Sequence, residues 1–286
     1  MGIDLSLDEE IRSALSDRSR DFLEELAAAL DEDAVVAVHL FGSVVSGEAT
    51  AVSDVDLVVV LASDVSESYV ADVERRCEEL AAVHLDAGTD DPTALERVVE
   101  RATGMYRSGF VTTESAVAAG DFPAIFDTSS VASIVAPWRT VLLGVFETGV
   151  TIYGRAVEPR WDEIGTPFAC RYRELLRSLV TTVALAAAQV GYALVSPRAI
   201  DYSLEAAKWT AYNCAFHLDE GPPGSLDRAL DLLPAPPWYR RRFLALRAEP
   251  EQDLGFVVLT PFVVLYAHLV TIGRVSRSAP SEDGCE

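Results

Sequence analysis

Lysine is almost missing from this chain of 286 residues: Lys208 is the only one, and every other basic residue is arginine. Acids outnumber bases 45 to 23, which leaves a formal net charge of −22. Affinity for nucleic-acid backbones comes from clustered cations, so this balance argues against a generic nucleic-acid binder. It leaves room for a small nucleotide whose charge a metal ion screens. The acid excess fits a halophilic protein, in which strong charge maintains solubility while salt screens the self-repulsion. Cysteine is sparse. Cys77, Cys170, Cys214 and Cys285 lie far apart, without metal-ligand spacing, and are expected as reduced, mostly buried thiols. The four histidines form no ligand cluster either, and His39, inside an apolar run, reads as structural. No basic-then-apolar segment opens the chain, and no 18 apolar residues run uninterrupted. The stretch from Leu179 to Val195, broken by Thr181, Thr182, Gln189 and Gly191, reads as a buried helix. A cytoplasmic protein with no membrane partner is the expectation.

What the chain does have is concentrated between residues 34 and 61. Val35 to Phe41 is β-branched and apolar, and short enough for a buried strand. Gly42 permits a turn with close backbone approach. Ser43 can cap a helical turn, and its hydroxyl and the neighbouring amides can meet an anion. After a short polar stretch, Asp54-Val55-Asp56-Leu57 opens a second apolar run. Side chains two apart on a strand share a face, so the two carboxylates project together, roughly 7 Å apart at the backbone. Unpaired, they would repel, and a divalent cation resolves the conflict.

The conjunction of His39-Leu-Phe-Gly42-Ser43 with Ser53-Asp54-Val-Asp56-Leu resembles the signature of DNA polymerase β-like nucleotidyltransferases, especially the small aminoglycoside and minimal types. Gly149-Val-Thr-Ile-Tyr153-Gly154 extends the likeness to about residue 155. The resemblance implies an α+β fold, with a mixed-sheet nucleotidyltransferase domain over residues 1–155 followed by an all-α domain over 168–275. It implies an enzyme that moves a nucleoside monophosphate, AMP from ATP, to an acceptor hydroxyl. Gly42 and Ser43 would hold the nucleoside triphosphate, and Asp54 and Asp56 would bind Mg2+ or Mn2+. A third carboxylate, from a strand beside the Asp-x-Asp strand, is implied as the group that activates the acceptor. Two candidates stand for it: Asp86, preferred, after a helix over residues 67–82, and Glu114, at the end of Phe110-Val-Thr-Thr-Glu114. If Phe110-Val111 marks the third strand, the usual position falls near Arg107 and the site is one carboxylate short. A nucleotide-binding or regulatory module without turnover is therefore the alternative reading.

Elsewhere the spacing predicts a helix over residues 8–30, further helices over 93–107 and 131–148, and a strand near 109–114. Beyond residue 168, Ala-rich helical segments separated by Pro and Gly predict a bundle. Arg173 and Arg177 share a helix face there. Arg173, and Lys208 as the lone lysine, are candidate phosphate contacts, set against ordinary ion pairing with this chain's many acids.

Overall fold

The computed structural model describes residues 2–47, 55–85, 109–194, 196, 199–249 and 251–277. Asp54, Asp86 and the helix expected over 93–107 lie outside these residues. The chain divides into two units, Met1–Ser133 with Val141–Ile164, and Ile134–Thr140 with Gly165–Glu286.

The first unit opens with α1 (Glu9–Ala14) and α2 (Asp17–Ala29) in place of the single helix expected over residues 8–30. The break falls at Leu15-Ser16, where Ser16 Oγ accepts the Ser19 amide at 3.1 Å and caps a new helix. Ile11, Leu15, Phe22, Leu23, Leu26 and Leu30 all enter one core, so the apolar period runs through the break unchanged. β1 (Val35–Phe41) and β2 (Asp56–Leu61) follow, then α3 (Glu67–His84), capped by Ser66 on the Tyr69 amide. Next come β3 (Gly109–Thr113), α4 (Glu114–Ala119), α5 (Phe122–Phe126), α6 (Ser130–Val135), α7 (Trp138–Thr148), β4 (Val150–Gly154) and α8 (Trp161–Ile164). The helix expected over 131–148 is thus divided at Ala136-Pro137, because proline's ring and missing N–H stop α6 and suit the start of α7.

The sheet is mixed, in the order β3-β2-β1-β4. β1 runs antiparallel to β2 and β4, while β2 and β3 are parallel. Leu57 to Leu61 are completely buried, as suits a central strand covered on both faces. Leu57, Val59 and Leu61 join the core formed with α2 and α3. Alternation sends Asp56, Val58 and Val60 to the opposite face, with His39 and Phe41. There the Phe41 and Phe110 rings stack, and His39 lies 5.3 Å from the Phe146 ring of α7.

The segment Gly149–Gly154 is explained by close approach. A Cβ on Gly149 would stand 2.2 Å from His39 Nε2, and one on Gly154, where φ is +75°, would stand 2.0 Å from the Val36 carbonyl oxygen. Glycine at each end therefore lets β4 pair against β1.

The second unit is helical: α9 (Arg171–Tyr192), α10 (Ala199–Asp219), α11 (Leu226–Leu232), α12 (Pro237–Ala248) and α13 (Leu254–Val275). α9, α10 and α13 pack mutually. α9 and α13 are long and apolar enough to cross a bilayer by length and composition alone, yet both carry buried polar groups satisfied inside the bundle. His268 meets Ser178 Oγ at 2.9 Å and the Val264 carbonyl at 2.9 Å. Cys77 and Cys214 are buried and form no disulfide, as expected, whereas Cys170 is disulfide-bonded and departs from the expectation of reduced thiols.

Candidate functional site

β1 ends where β2 and β3 begin, so one end of the sheet gathers Gly42, Ser43, Asp56 and Gly109. Phe41 pairs with Asp56 across the antiparallel ladder, and Leu57 pairs with Gly109 across the parallel one. At Gly42 the chain turns with φ of +78°, a left-handed conformation that glycine adopts without penalty. A Cβ there would lie 2.2 Å from Asp56 Oδ2. The carboxylate of Asp56 thus lies against the bare Cα of Gly42, in space that any other residue would fill.

The loop continues as one helical turn. The Ser46 amide donates to the Gly42 carbonyl at 3.1 Å, and Ser46 Oγ donates to the Ser43 carbonyl at 3.3 Å. Val44 is buried in the α2–α3 core and anchors this turn, while Ser43 remains half-buried beside the Asp56 end of the sheet. Immobilised on one side and open on the other, the turn offers amides and a hydroxyl to an anion.

Residues 20–101 match the family described as nucleotidyltransferase domain. This segment is a nucleotidyltransferase domain. The match is consistent with the DNA polymerase β-like superfamily, and it supports nucleotidyl transfer in general terms. It spans α2, β1, the Gly42-Ser43 turn, β2 and α3. No curated protein matches the chain.

Within the nucleotidyltransferase domain, the sequence candidates separate. Gly42, Ser43 and Asp56 come together. Asp54 and Asp86 lie outside the described residues. Glu114 does not join them. Thr113 pairs with Leu61, so Glu114 follows β3 at the far end of the sheet, about 20 Å from Asp56 by six residues of strand rise. Its carboxylate is ion-paired with Arg155, and it begins α4. The strand expected near 109–114 exists, but its parallel register carries Glu114 away from the candidate site. Among the described residues, no three His, Cys, Asp or Glu side chains converge as a metal cluster.

The structure also places groups the sequence reading passed over. Glu147 is the penultimate residue of α7, two residues before Gly149, whose neighbour Val150 pairs with Leu40 near the same end of the sheet. Burial, and then the charge of Glu158, push its carboxyl above the ordinary range. Its only sequence signal is its position ahead of the Gly149–Gly154 segment. His39 is structural, as read: one ring nitrogen meets the Val145 carbonyl at 3.0 Å and the other Thr151 Oγ1 at 3.2 Å. Burial lowers its pKa.

In the second unit, Lys208 pairs with Glu205 at 2.6 Å, and its ammonium stands 5.7 Å from the Trp209 ring centroid. Arg177 donates to Glu174 at 3.0 Å, and Arg173 is exposed on the same helix. Glu174 is fully buried on α9 and receives the amides of Arg139 and Thr140 at 3.1 and 3.3 Å. A carboxylate on α9 thereby caps the N-terminus of α7.

Proposed function

We propose that the chain transfers a nucleoside monophosphate, AMP from ATP, to an acceptor hydroxyl. The observation that supports this best is the placement of Gly42 and Asp56: a left-handed glycine whose missing Cβ makes room for the carboxylate. In this reading the Gly42–Ser46 turn binds the triphosphate through its amides and the Ser43 hydroxyl. Asp56, together with Asp54 two residues earlier in the sequence, would hold Mg2+ or Mn2+. Bound there, the ion would neutralise phosphate charge and favour in-line displacement of pyrophosphate. The chain's own contribution is positioning, since phosphoryl chemistry depends mainly on alignment and charge stabilisation. The chain's net charge of −22 sets the protein's own field against a triphosphate, and a bound divalent cation would offset it locally.

Incubation with ATP labelled in the adenosine moiety, Mg2+ and a panel of hydroxyl acceptors tests the reading. Label should pass to an acceptor with the native chain and fall at least ~100-fold with the Asp54→Asn/Asp56→Asn chain, by loss of charge stabilisation. Equal transfer by both chains would overturn it.

One observation favours a second reading. Glu114 stands at the wrong end of the sheet to activate an acceptor beside Asp56. A domain that binds nucleotide without turnover predicts calorimetric ATP binding that depends on Gly42 and Asp56, with no pyrophosphate released.

A further inference from the structure

Four aromatic rings of the first unit form a ladder that ends beside Asp56. The Phe41 and Phe110 rings stack with centroids 6.4 Å apart, Phe126 meets Phe110 edge-on at 5.1 Å, and Phe122 lies 4.9 Å from Phe126. All three spacings are favourable for ring pairs. Phe110, Phe122 and Phe126 are buried, whereas Phe41, the last rung, is half-buried. The ladder is therefore anchored in the core and opens to solvent at Phe41.

That open rung stands at the candidate site. Phe41 is the cross-strand partner of Asp56 and immediately precedes Gly42, where the chain turns left-handed. Directly opposed residues share one sheet face with Cβ atoms ~4.5–5.5 Å apart, so ring and carboxylate start from adjacent points on the same face. Phe110 covers one flank of the ring from β3. On the other flank, the antiparallel register of β1 and β4, continued one step beyond Leu40 and Val150, brings Gly149 alongside Phe41. Glycine has no side chain to cover that flank.

Core packing accounts for the three buried rings, since each gains from removing its area from water. The fourth leaves apolar surface in water, next to a turn that offers amides to phosphate. Such a surface suits the uncharged part of a nucleotide, because bases and sugars stack on aromatic faces for roughly tenfold in affinity per ring. We infer, resting on the nucleotidyl-transfer reading proposed above, that the nucleoside end of the donor lies against the open side of the Phe41 ring. The phosphates then take the Gly42–Ser46 turn beside Asp56. The ring has no hydrogen-bond donor or acceptor, so it holds the nucleoside without selecting its base.

Calorimetry of the full chain in Mg2+, with ATP and with inorganic triphosphate as probes, tests this. Phe41→Leu keeps an apolar side chain at the end of β1, and its circular dichroism melt shows whether the fold is kept. It should bind ATP roughly 10-fold more weakly, with its affinity for inorganic triphosphate unchanged. Phe41→Tyr keeps the ring and should bind both probes as the native chain does. Phe41→Trp provides a second measure: emission from the indole introduced at position 41 should be quenched by ATP and not by inorganic triphosphate. A folded Phe41→Leu chain that binds ATP like the native one, or that loses both probes equally, would overturn the inference, as would an indole that ATP leaves unquenched. Each of those results leaves the nucleotidyl-transfer reading standing. A native chain that binds neither ATP nor inorganic triphosphate would remove that reading, and the Phe41 contact with it.

Discussion

Two glycines in the first unit separate a functional constraint from a structural one. A Cβ on Gly42 would collide with Asp56 Oδ2, the tip of a side chain that can rotate. A Cβ on Gly154 would collide with the Val36 carbonyl, which is fixed in the sheet. Both residues have positive φ, so alanine carries a backbone cost of about 1–2 kcal/mol at either position. At Gly42 the collision is relieved by swinging Asp56 away from its place. Gly42→Ala should therefore fold, with a melting temperature lowered by a few degrees, and lose nucleotide binding measured by calorimetry. At Gly154 relief requires β4 to separate from β1. Gly154→Ala should lose on the order of 3 kcal/mol in urea unfolding, because backbone cannot yield as a side chain can. A Gly42→Ala chain that binds ATP like the native one would show that Asp56's position does not matter to the ligand. These two glycines are legible in the sequence to different degrees. Gly42 stands out because it ends an apolar run beside Ser43 and ahead of an Asp-x-Asp triplet, all within 15 residues. Gly154 can be noticed, but its carbonyl neighbour is 118 positions earlier in the chain, and no local pattern shows that contact.

Helix and strand boundaries divide along the same line between local and distant causes. β1, β2 and α3 are readable because each carries its own signal: β-branched runs for the strands and Ser66 as a cap for the helix. The gap between α1 and α2 is hidden because Ser16 restarts the helix without interrupting the apolar stripe. Glu114 escapes a local reading because its location depends on the parallel register of β3 against β2, a pairing across more than 50 residues. α7 shows the limit most clearly. Its first amides are capped by Glu174, which lies 34 and 35 residues beyond Thr140 and Arg139. Burial pushes the Glu174 carboxyl up, while Arg177, the Thr140 amide and Arg139 pull it down; burial likewise lowers the Arg139 pKa. With two amides and two guanidinium groups converging on a fully buried carboxylate, the ionised pair is the state the geometry supports. Glu174→Gln keeps the shape and removes the charge, leaving Arg139 and Arg177 uncompensated. Loss of one partner of a buried ion pair costs about 3–5 kcal/mol. The expected result is a urea midpoint lowered by that amount with the slope unchanged. A change below ~1 kcal/mol, the range of exposed pairs, would show that the cluster acts as a surface salt bridge does.

Over the whole molecule, stability reflects a large negative charge outside and neutral histidines within. The excess of 45 acids over 23 bases is a self-repulsion that salt shortens, from a reach of ~30 Å at 0.01 M to ~3 Å at 1 M. The melting temperature at pH 7 should therefore be higher at 1 M NaCl than at 10 mM, and equal melting in both would remove charge repulsion as a determinant. The histidines impose a second dependence. Burial, with the nearby Arg171 and His268, lowers the His217 pKa to about 3, and burial lowers that of His268 to about 4. Neither ring nitrogen of His217 has a hydrogen-bond partner among the described residues. Unfolded, both titrate near ~6.5. Their folded values are depressed, so full stability is present above pH 6.5, and it falls with pH because only the unfolded chain takes up the protons. Between pH 6.5 and 5 two such groups remove roughly 3–4 kcal/mol at 1.36 kcal/mol per unit each. His39, lowered by burial in the first unit, adds in the same direction. Carboxylates begin to protonate near the bottom of that window, and at low salt the relief of repulsion offsets part of the loss. Thermal unfolding at 1 M NaCl separates the two effects: with repulsion screened, the melting temperature should fall steadily from pH 7 to pH 5. At 10 mM NaCl the fall should be shallower. A melting temperature that rises from pH 7 to pH 5 at high salt would mean that His217 and His268 become protonated inside the folded bundle.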